Sequence, residues 1–138
     1  MFHADLNLNW LAIIAAGAVY FVLGAVWYSP AVFGKKWMEL VGMTEEKAKE
    51  GGQAGPLVGM FLLNLIAALA LAALLAWSDT TGLTESLIFS LFIAIGFVIT
   101  TELTHVLFEK TETELFMINA GYHVVGIVLM GLVIGAWS

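Results

Sequence analysis

Residues 115–137 read LFMINAGYHVVGIVLMGLVIGAW, an apolar run with two strongly polar interruptions, Asn119 and His123. A run of this length can cross the hydrocarbon core of a bilayer as an α-helix, which needs about 20 apolar residues. Residues 86–108 repeat the pattern, with Glu102 and His105 as the interruptions. Because an ionisable side chain at membrane depth is costly, each of these positions marks a functional site by default.

The composition of the whole chain is that of a membrane protein. Apolar residues make up 61% of the 138 positions, charged residues make up 12%, and the mean hydropathy is +0.95. Soluble domains are about half apolar and a quarter charged. We therefore predict an all-α integral membrane protein with a single domain over residues 1–138. The four transmembrane helices are predicted at residues 8–27, 57–77, 86–108 and 115–137.

The basic residues predict a topology. All five are lysines: four lie between the first and second predicted helices, and Lys110 lies between the third and fourth. Because lysine-bearing loops stay on the cytoplasmic side, we expect the loops at residues 28–56 and 109–114 in the cytoplasm. Both termini are then outside.

Residues 28–56 form the only sizeable polar segment. Pro30 ends the first helix. Beyond it, Phe33, Trp37 and Leu40 can share one side of a short helix, a spacing that predicts an interfacial helix. We interpret the segment as a surface connector, with a regulatory or partner-docking role as the alternative.

Motifs in this first part of the chain resemble a known family. The stretch GAVWYSP at residues 24–30, with FGKKWM at 33–38 and GMTE at 42–45, is similar to the N-terminal signature of the DUF1761 family of small bacterial and fungal membrane proteins. The resemblance implies the four-helix fold and, with the lysine topology, a place in the bacterial inner membrane. The family's function is unknown, so the resemblance implies no catalytic residues.

The signature also has a physical interpretation. Glycines and tyrosines recur on one side of the first helix, where glycines let another helix approach closely and tyrosine hydroxyls need polar partners. We interpret this side as a helix-packing face, with a substrate-lining face as the alternative. The residues assigned to packing or to the signature are Gly17, Tyr20, Gly24, Trp27, Tyr28, Pro30, Trp37 and Asn64.

The polar interruptions of the third and fourth helices fall on facing stripes if these helices form an antiparallel hairpin. The short connection at residues 110–114 favours a hairpin. Pairing outward from this connection sets His105 level with Asn119, and Glu102 level with His123. We therefore expect one polar cluster to contain Glu102, His105, Asn119, Tyr122 and His123.

Three functions are compatible with such a cluster. We favour proton-linked transport or conduction of an ion or small solute, because acids and histidines inside membranes are typical of proton-coupled systems. The first alternative is a structural or accessory membrane subunit whose polar residues tie helices together. The second is a metal- or haem-binding protein with Glu102, His105 and His123 as ligands of zinc or iron.

Net charge, the lack of cysteine and the placement of small residues restrict which partners and activities are expected. The net charge of -6 and the absence of basic patches argue against nucleic acid. The chain has no cysteine, which excludes thiol chemistry, and no nucleophile constellation, so an enzyme is less expected. Small residues on a second face of the third and fourth helices predict a homo-oligomer in the bilayer. The ligand is expected to be an ion or a small molecule.

Overall fold

Four helices long and apolar enough to cross a membrane form the framework of the protein. The structure, a computed structural model, describes residues 7–50, 52 and 54–138. Its elements are α1 (Trp10–Trp27), α2 (Gly34–Val41), α3 (Glu45–Glu50), α4 (Ala54–Trp77), α5 (Leu83–Ile93), a π-helical segment (Ala94–Ile99), α6 (Thr100–Glu109) and α7 (Thr113–Ala136). The predicted all-α membrane fold is confirmed, and the described residues contain no strand.

Local sequence sets the ends of these helices. The Asn9 side chain caps α1 by accepting a hydrogen bond from the backbone N–H of Ala12 at 3.1 Å. Gly42 ends α2 in the left-handed conformation that glycine adopts without strain, with φ at 73°. Helix α4 begins before its predicted start because Pro56 lies in its first turn, where the missing N–H is no loss.

The third span changes its winding near the middle. Residues Ala94–Ile99 form a π-helix between α5 and α6, which the apolar pattern did not predict. The Thr100 hydroxyl donates to the carbonyl oxygen of Gly96 at 2.8 Å, and the Thr101 hydroxyl donates to that of Phe97. These hydroxyls add side-chain hydrogen bonds to carbonyl groups of the wider turn.

Helices α1 and α7 form the centre of the bundle. Helix α1 packs against α4 on one side and α7 on the other, and α7 also packs against α5. The core between them contains Ile13, Ala16, Tyr20, Ala68, Leu71, Ala72, Leu75, Tyr122 and Met130. Helix α6 has no buried residue, so the second half of the third span is the most loosely held part of the bundle.

The two ends of the bundle differ. One end, here called the lysine end, carries α2 with Lys35 and Lys36, together with the last turn of α1 and the first turns of α4 and α7. At the opposite end, Ser86 and Ser90 of α5 lie fully buried against Gly135 and Gly131 of α7. Neither serine Oγ has a hydrogen-bond partner, so this contact depends on close packing of small residues.

We expect Gly126→Ala to destabilise the bundle. A methyl group at this position would overlap the Tyr20 ring, which is held by the Tyr122 ring at 5.0 Å. Overpacking of this kind costs about 1–3 kcal/mol of unfolding free energy. Titration with SDS, followed by far-UV circular dichroism, measures the loss.

The matched control is Gly59→Ala on α4, because no atom lies within 4 Å of the added methyl group. This variant should be as stable as the natural protein or slightly more stable, since alanine is the better helix former. Equal unfolding midpoints for Gly126→Ala and the natural protein would contradict the proposed fit of Tyr20 against α7.

Candidate functional site

A cleft of about 680 Å³ opens at the lysine end of the bundle. It lies between α1, α2, α4 and α7, and its walls include Tyr28, Trp37, Met60, Asn119, Tyr122 and His123. A volume of this size is in the range of small-molecule sites, about 300–1,000 Å³. The cleft therefore brings three of the five predicted cluster residues to one surface.

The last turn of α1 is attached to α7 by two hydrogen bonds. The Tyr28 hydroxyl donates to Oδ1 of Asn119 at 2.7 Å, and Nε1 of Trp27 donates to the carbonyl oxygen of Ile118 at 2.9 Å. The Trp27 indole lies over Gly121, whose missing side chain leaves the space that it occupies. The signature motif thus serves to join α1 to α7 at the mouth of the cleft.

Tyr20, Tyr122 and His123 form the inner end of the site. The Tyr20 hydroxyl is hydrogen-bonded to Nδ1 of His123, and the Tyr122 hydroxyl donates to the backbone oxygen of Tyr20 at 3.1 Å. Both tyrosine side chains are buried. His123 lies ten residues beyond the start of the 24-residue helix α7, about 15 Å along it at 1.5 Å per residue. It is therefore close to the middle of a bilayer core about 30 Å thick.

Asn64 supplies a polar group on α4. Its side chain is buried and lies beside the Tyr122 hydroxyl, but its Nδ2 has no hydrogen-bond partner. A buried amide donor without a partner costs free energy. The predicted interhelical role of Asn64 is therefore only partly met by the contacts that the structure describes.

Glu102 and His105 have different surroundings, although they are about one helical turn apart. Glu102 is half-buried and interacts electrostatically with Tyr28 and His123. The His105 side chain is half exposed, and its Nδ1 lies 3.0 Å from Oε2 of Glu109. The predicted convergence is wrong for His105, because its direction on α6 is about 60° from that of Glu102 and leads to Glu109 instead of α7.

The separation of His105 also affects the predicted metal ligands. Glu102, His105 and His123 do not come together, and no group of three His, Cys, Asp or Glu side chains in the described part of the chain could hold a metal ion. His123 uses Nδ1 to bond Tyr20, while His105 pairs with Glu109. The metal-binding triad predicted from the spacing of these residues is therefore corrected, because its members belong to two different sites.

Helix α2 forms one wall of the cleft. The Trp37 ring packs edge-on to the Tyr28 ring, with centroids 5.9 Å apart. Nζ of Lys36 lies 3.2 Å from a carboxylate oxygen of Glu114, and hydrogen bonding to Glu114 raises the pKa of Lys36. The ion pair links α2 to the first turn of α7. The predicted interfacial helix is thus part of the site as well as a connector.

Two aspects of the site were not predicted from the sequence. The tyrosines of α1 were assigned chiefly to packing, whereas they provide the partners of Asn119 and His123. The roles of Met38, Met43 and Met60 in lining the cleft were also missed. The only available signal was the spacing of Tyr20 and Tyr28, two helical turns apart on the face that carries Gly24.

We expect Gly34→Ala to open the cleft without changing any residue that lines it. The added methyl group would contact the backbone oxygen of Tyr28 and lie 2.7 Å from the carbonyl carbon of Ser29. Because backbone atoms cannot rotate aside, α2 must shift and carry Trp37 away from Tyr28. Hydrogen exchange of the α2 amides should become about tenfold faster or more, as expected for a loss of about 1–3 kcal/mol.

Gly55→Ala is the control, since a methyl group there meets no atom within 4 Å. It should leave exchange in α2 unchanged. Natural exchange rates in Gly34→Ala would show that α2 tolerates the substitution, contrary to this expectation.

No curated protein and no solved structure matches the chain. One family model, described as a protein of unknown function (DUF1761), matches residues 11–135. The match covers nearly all of the four long helices and every residue of the site, and the chain belongs to the DUF1761 family.

Proposed function

We propose that this protein moves an ion or a small solute across the membrane in a process linked to proton binding near His123. The observation that carries the proposal is a cleft that leads from one end of the bundle to an ionisable pair at mid-membrane. Ionisable groups inside membranes mark substrate and proton pathways because their placement is otherwise costly. Glycine and tyrosine packing alone would not require a histidine there.

Polar groups follow one another along the cleft. Tyr28 and Asn119 lie near its mouth, and His123 with Tyr20 lies one helical turn deeper, about 6 Å along α7. Glu102 adds a carboxylate within electrostatic range of both levels. A proton entering from the lysine end would therefore meet exchangeable groups down to mid-membrane.

Beyond His123 the path is closed by apolar side chains. Met130 is 1% exposed, and Leu71 and Leu75 fill the space between α1, α4 and α7. A site open on one side and closed on the other is what alternating access requires. We propose that this is the form of the protein open at the lysine end.

The Tyr20–His123 pair is suited to hold or release a proton. A neutral imidazole can accept a hydrogen bond at Nδ1 from the Tyr20 hydroxyl, and a protonated imidazole can donate to the same oxygen. The bond therefore survives in both protonation states. The titratable groups that face His123 are Tyr20, Tyr122 and Glu102.

The π-helix gives the third span a place to move. Residues Ala94–Ile99 separate well-packed α5 from α6, which has no buried residue and carries Glu102. Such segments are frequent at functional sites. We propose that α6 moves about this segment and brings Glu102 towards or away from His123.

The lysine end is proposed to face the cytoplasm. Lys35, Lys36 and Lys110 lie at this end, and the rule that lysine-bearing loops remain inside then puts both termini on the outer side. With the bacterial inner membrane as the proposed location, the cleft opens to the cytoplasm.

Potential-driven proton movement tests the proposed function. Vesicles loaded with a pH-sensitive dye and containing the protein should show a proton flux when valinomycin and a potassium gradient set a membrane potential. His123→Gln and Glu102→Gln should reduce this flux to the level of protein-free vesicles. Glutamine keeps the hydrogen-bonding capacity of each site but does not titrate.

The structure offers matched controls for both substitutions. His105→Gln and Glu109→Gln change a histidine and a carboxylate that pair with each other outside the cleft, so the flux should remain that of the natural protein. A natural protein with no flux above that of empty vesicles contradicts the proposal. So does a loss of flux that is equal in His105→Gln and His123→Gln.

A structural or accessory role is the second candidate. It is favoured by the hydrogen bonds of Trp27, Tyr28 and Tyr122, all of which join α1 to α7. Such bonds in membranes contribute about 0.6 kcal/mol each on average. A protein with this role would show no proton flux, and His123→Gln would affect only its stability.

We also propose that the chain forms a homo-oligomer through the third span. Only 11% of the apolar window in Leu83–Glu109 is buried inside the single chain, against 33% for α1 and α7. Phe92, Phe97 and Phe108 project from this span with exposures of 63–84%. A second copy packed on this face would bury them.

Native mass spectrometry from detergent micelles tests the assembly. The expected mass is a multiple of the 14.9 kDa chain. Phe97→Ala should shift the population towards monomer by removing van der Waals contacts from the proposed interface, whereas Ile14→Ala, at an exposed position of α1, should not. A clean monomer for the natural protein contradicts the assembly.

A further inference from the structure

We propose that the cleft binds a hydrophobic organic cation. This ligand class depends on the proposed function, because it takes the same cleft as the binding place of the moving solute. It goes further by assigning the charge and the chemical character of that solute. The assignment comes from three properties of the cleft: its aromatic walls, the charged side chains around it and the flexible methionine side chains that line it.

Aromatic rings form part of the wall of the cleft. Tyr28 lies between Trp37 and Tyr122, with ring centroids 5.9 Å and 5.4 Å away and interplanar angles of 74° and 71°. Because neighbouring rings are nearly perpendicular, rings in the wall differ in orientation and do not all turn only their edges to one direction. Ring faces carry negative electrostatic potential and attract cations, most strongly when the cation is desolvated.

The charges around the cleft have the sign that such a ligand needs. Among the described residues, those lining the cleft include no Lys, Arg, Asp or Glu. Glu102 lies within electrostatic range of Tyr28 and His123, so the nearby carboxylate can balance a bound positive charge. Lys36 is on the same short helix as Trp37, but its ammonium group is paired with Glu114. An anion would therefore meet a carboxylate and the negative faces of aromatic rings.

The remaining walls of the cleft favour a ligand with bulky apolar substituents. Met38, Met43 and Met60 line the cleft together with Phe21. Methionine side chains are flexible and polarisable, so they adapt to apolar groups of different shape. With about 680 Å³ of space, the cleft can enclose a cation with several apolar substituents. A small hydrated metal cation would leave this apolar surface unused.

Two ions of the same size and shape but opposite charge provide the test. Equilibrium dialysis of the purified protein in detergent, corrected against empty micelles, measures binding of tetraphenylphosphonium and of tetraphenylborate. We expect the cation to bind about tenfold more tightly or better. Equal or stronger binding of tetraphenylborate overturns the assignment, and so does the absence of cation binding.

Substitution at Trp37 tests the aromatic contribution. Trp37→Leu keeps an apolar side chain but removes the ring, so tetraphenylphosphonium binding should weaken about tenfold. Trp10→Leu, at an exposed position outside the cleft, should leave binding unchanged. If Trp37→Leu does not fold, the ratio for the two ions on the natural protein decides. Unchanged binding in folded Trp37→Leu counts against the assignment.

The outcomes separate this assignment from the proposed function, because binding in detergent requires no proton movement. Proton flux in vesicles without cation binding would overturn the ligand class and leave the transport proposal standing. Cation binding without flux, even when a tetraphenylphosphonium gradient is imposed across the vesicle membrane, would support the ligand class and contradict transport.

Discussion

The close contact of α1 with α7 depends on two tyrosines that each fit against a glycine of the facing helix. Tyr122 lies on Gly24, where an added Cβ would be 2.9 Å from its hydroxyl oxygen, and Tyr20 lies on Gly126. This reciprocal arrangement lets two large rings cross the interface while the helices remain close. It also carries the hydroxyl of each tyrosine to a polar group of the other side, His123 in one case and the backbone of Tyr20 in the other.

The same contact explains why packing and site chemistry involve the same residues. In a membrane, helices associate through close packing and hydrogen bonds because lipid offers no hydrophobic driving force between them. Tyr20 supplies both: its ring fills the space at Gly126 and its hydroxyl holds His123. Substitutions at these positions therefore change stability and site geometry together, and controls outside the interface are needed to separate the two.

Helix type and approximate span were predictable from the sequence because apolar length alone determines them. The pairing of α6 with α7 was also predictable, since a short connection favours a hairpin. The partners from α1 were not, because the periodicity of one helix does not identify the helix that its face contacts. His105 was misplaced for a related reason: a stripe 60° wide was treated as one direction, although His105 lies at the edge of the stripe farthest from Glu102 and pairs with Glu109.

The π-helix also determines the rotational phase of everything that follows it in the third span. A π-turn takes up about one residue more than an α-turn, which rotates the downstream helix by about 100°. If residues 94–99 were wound as a regular α-helix, Glu102 would point in the direction now held by Leu103, whose side chain is 40% exposed. The acid would then face outward. The widened turn at Ala94–Ile99 thus acts as an angular spacer, and the inward orientation of Glu102 is encoded several residues before the glutamate itself.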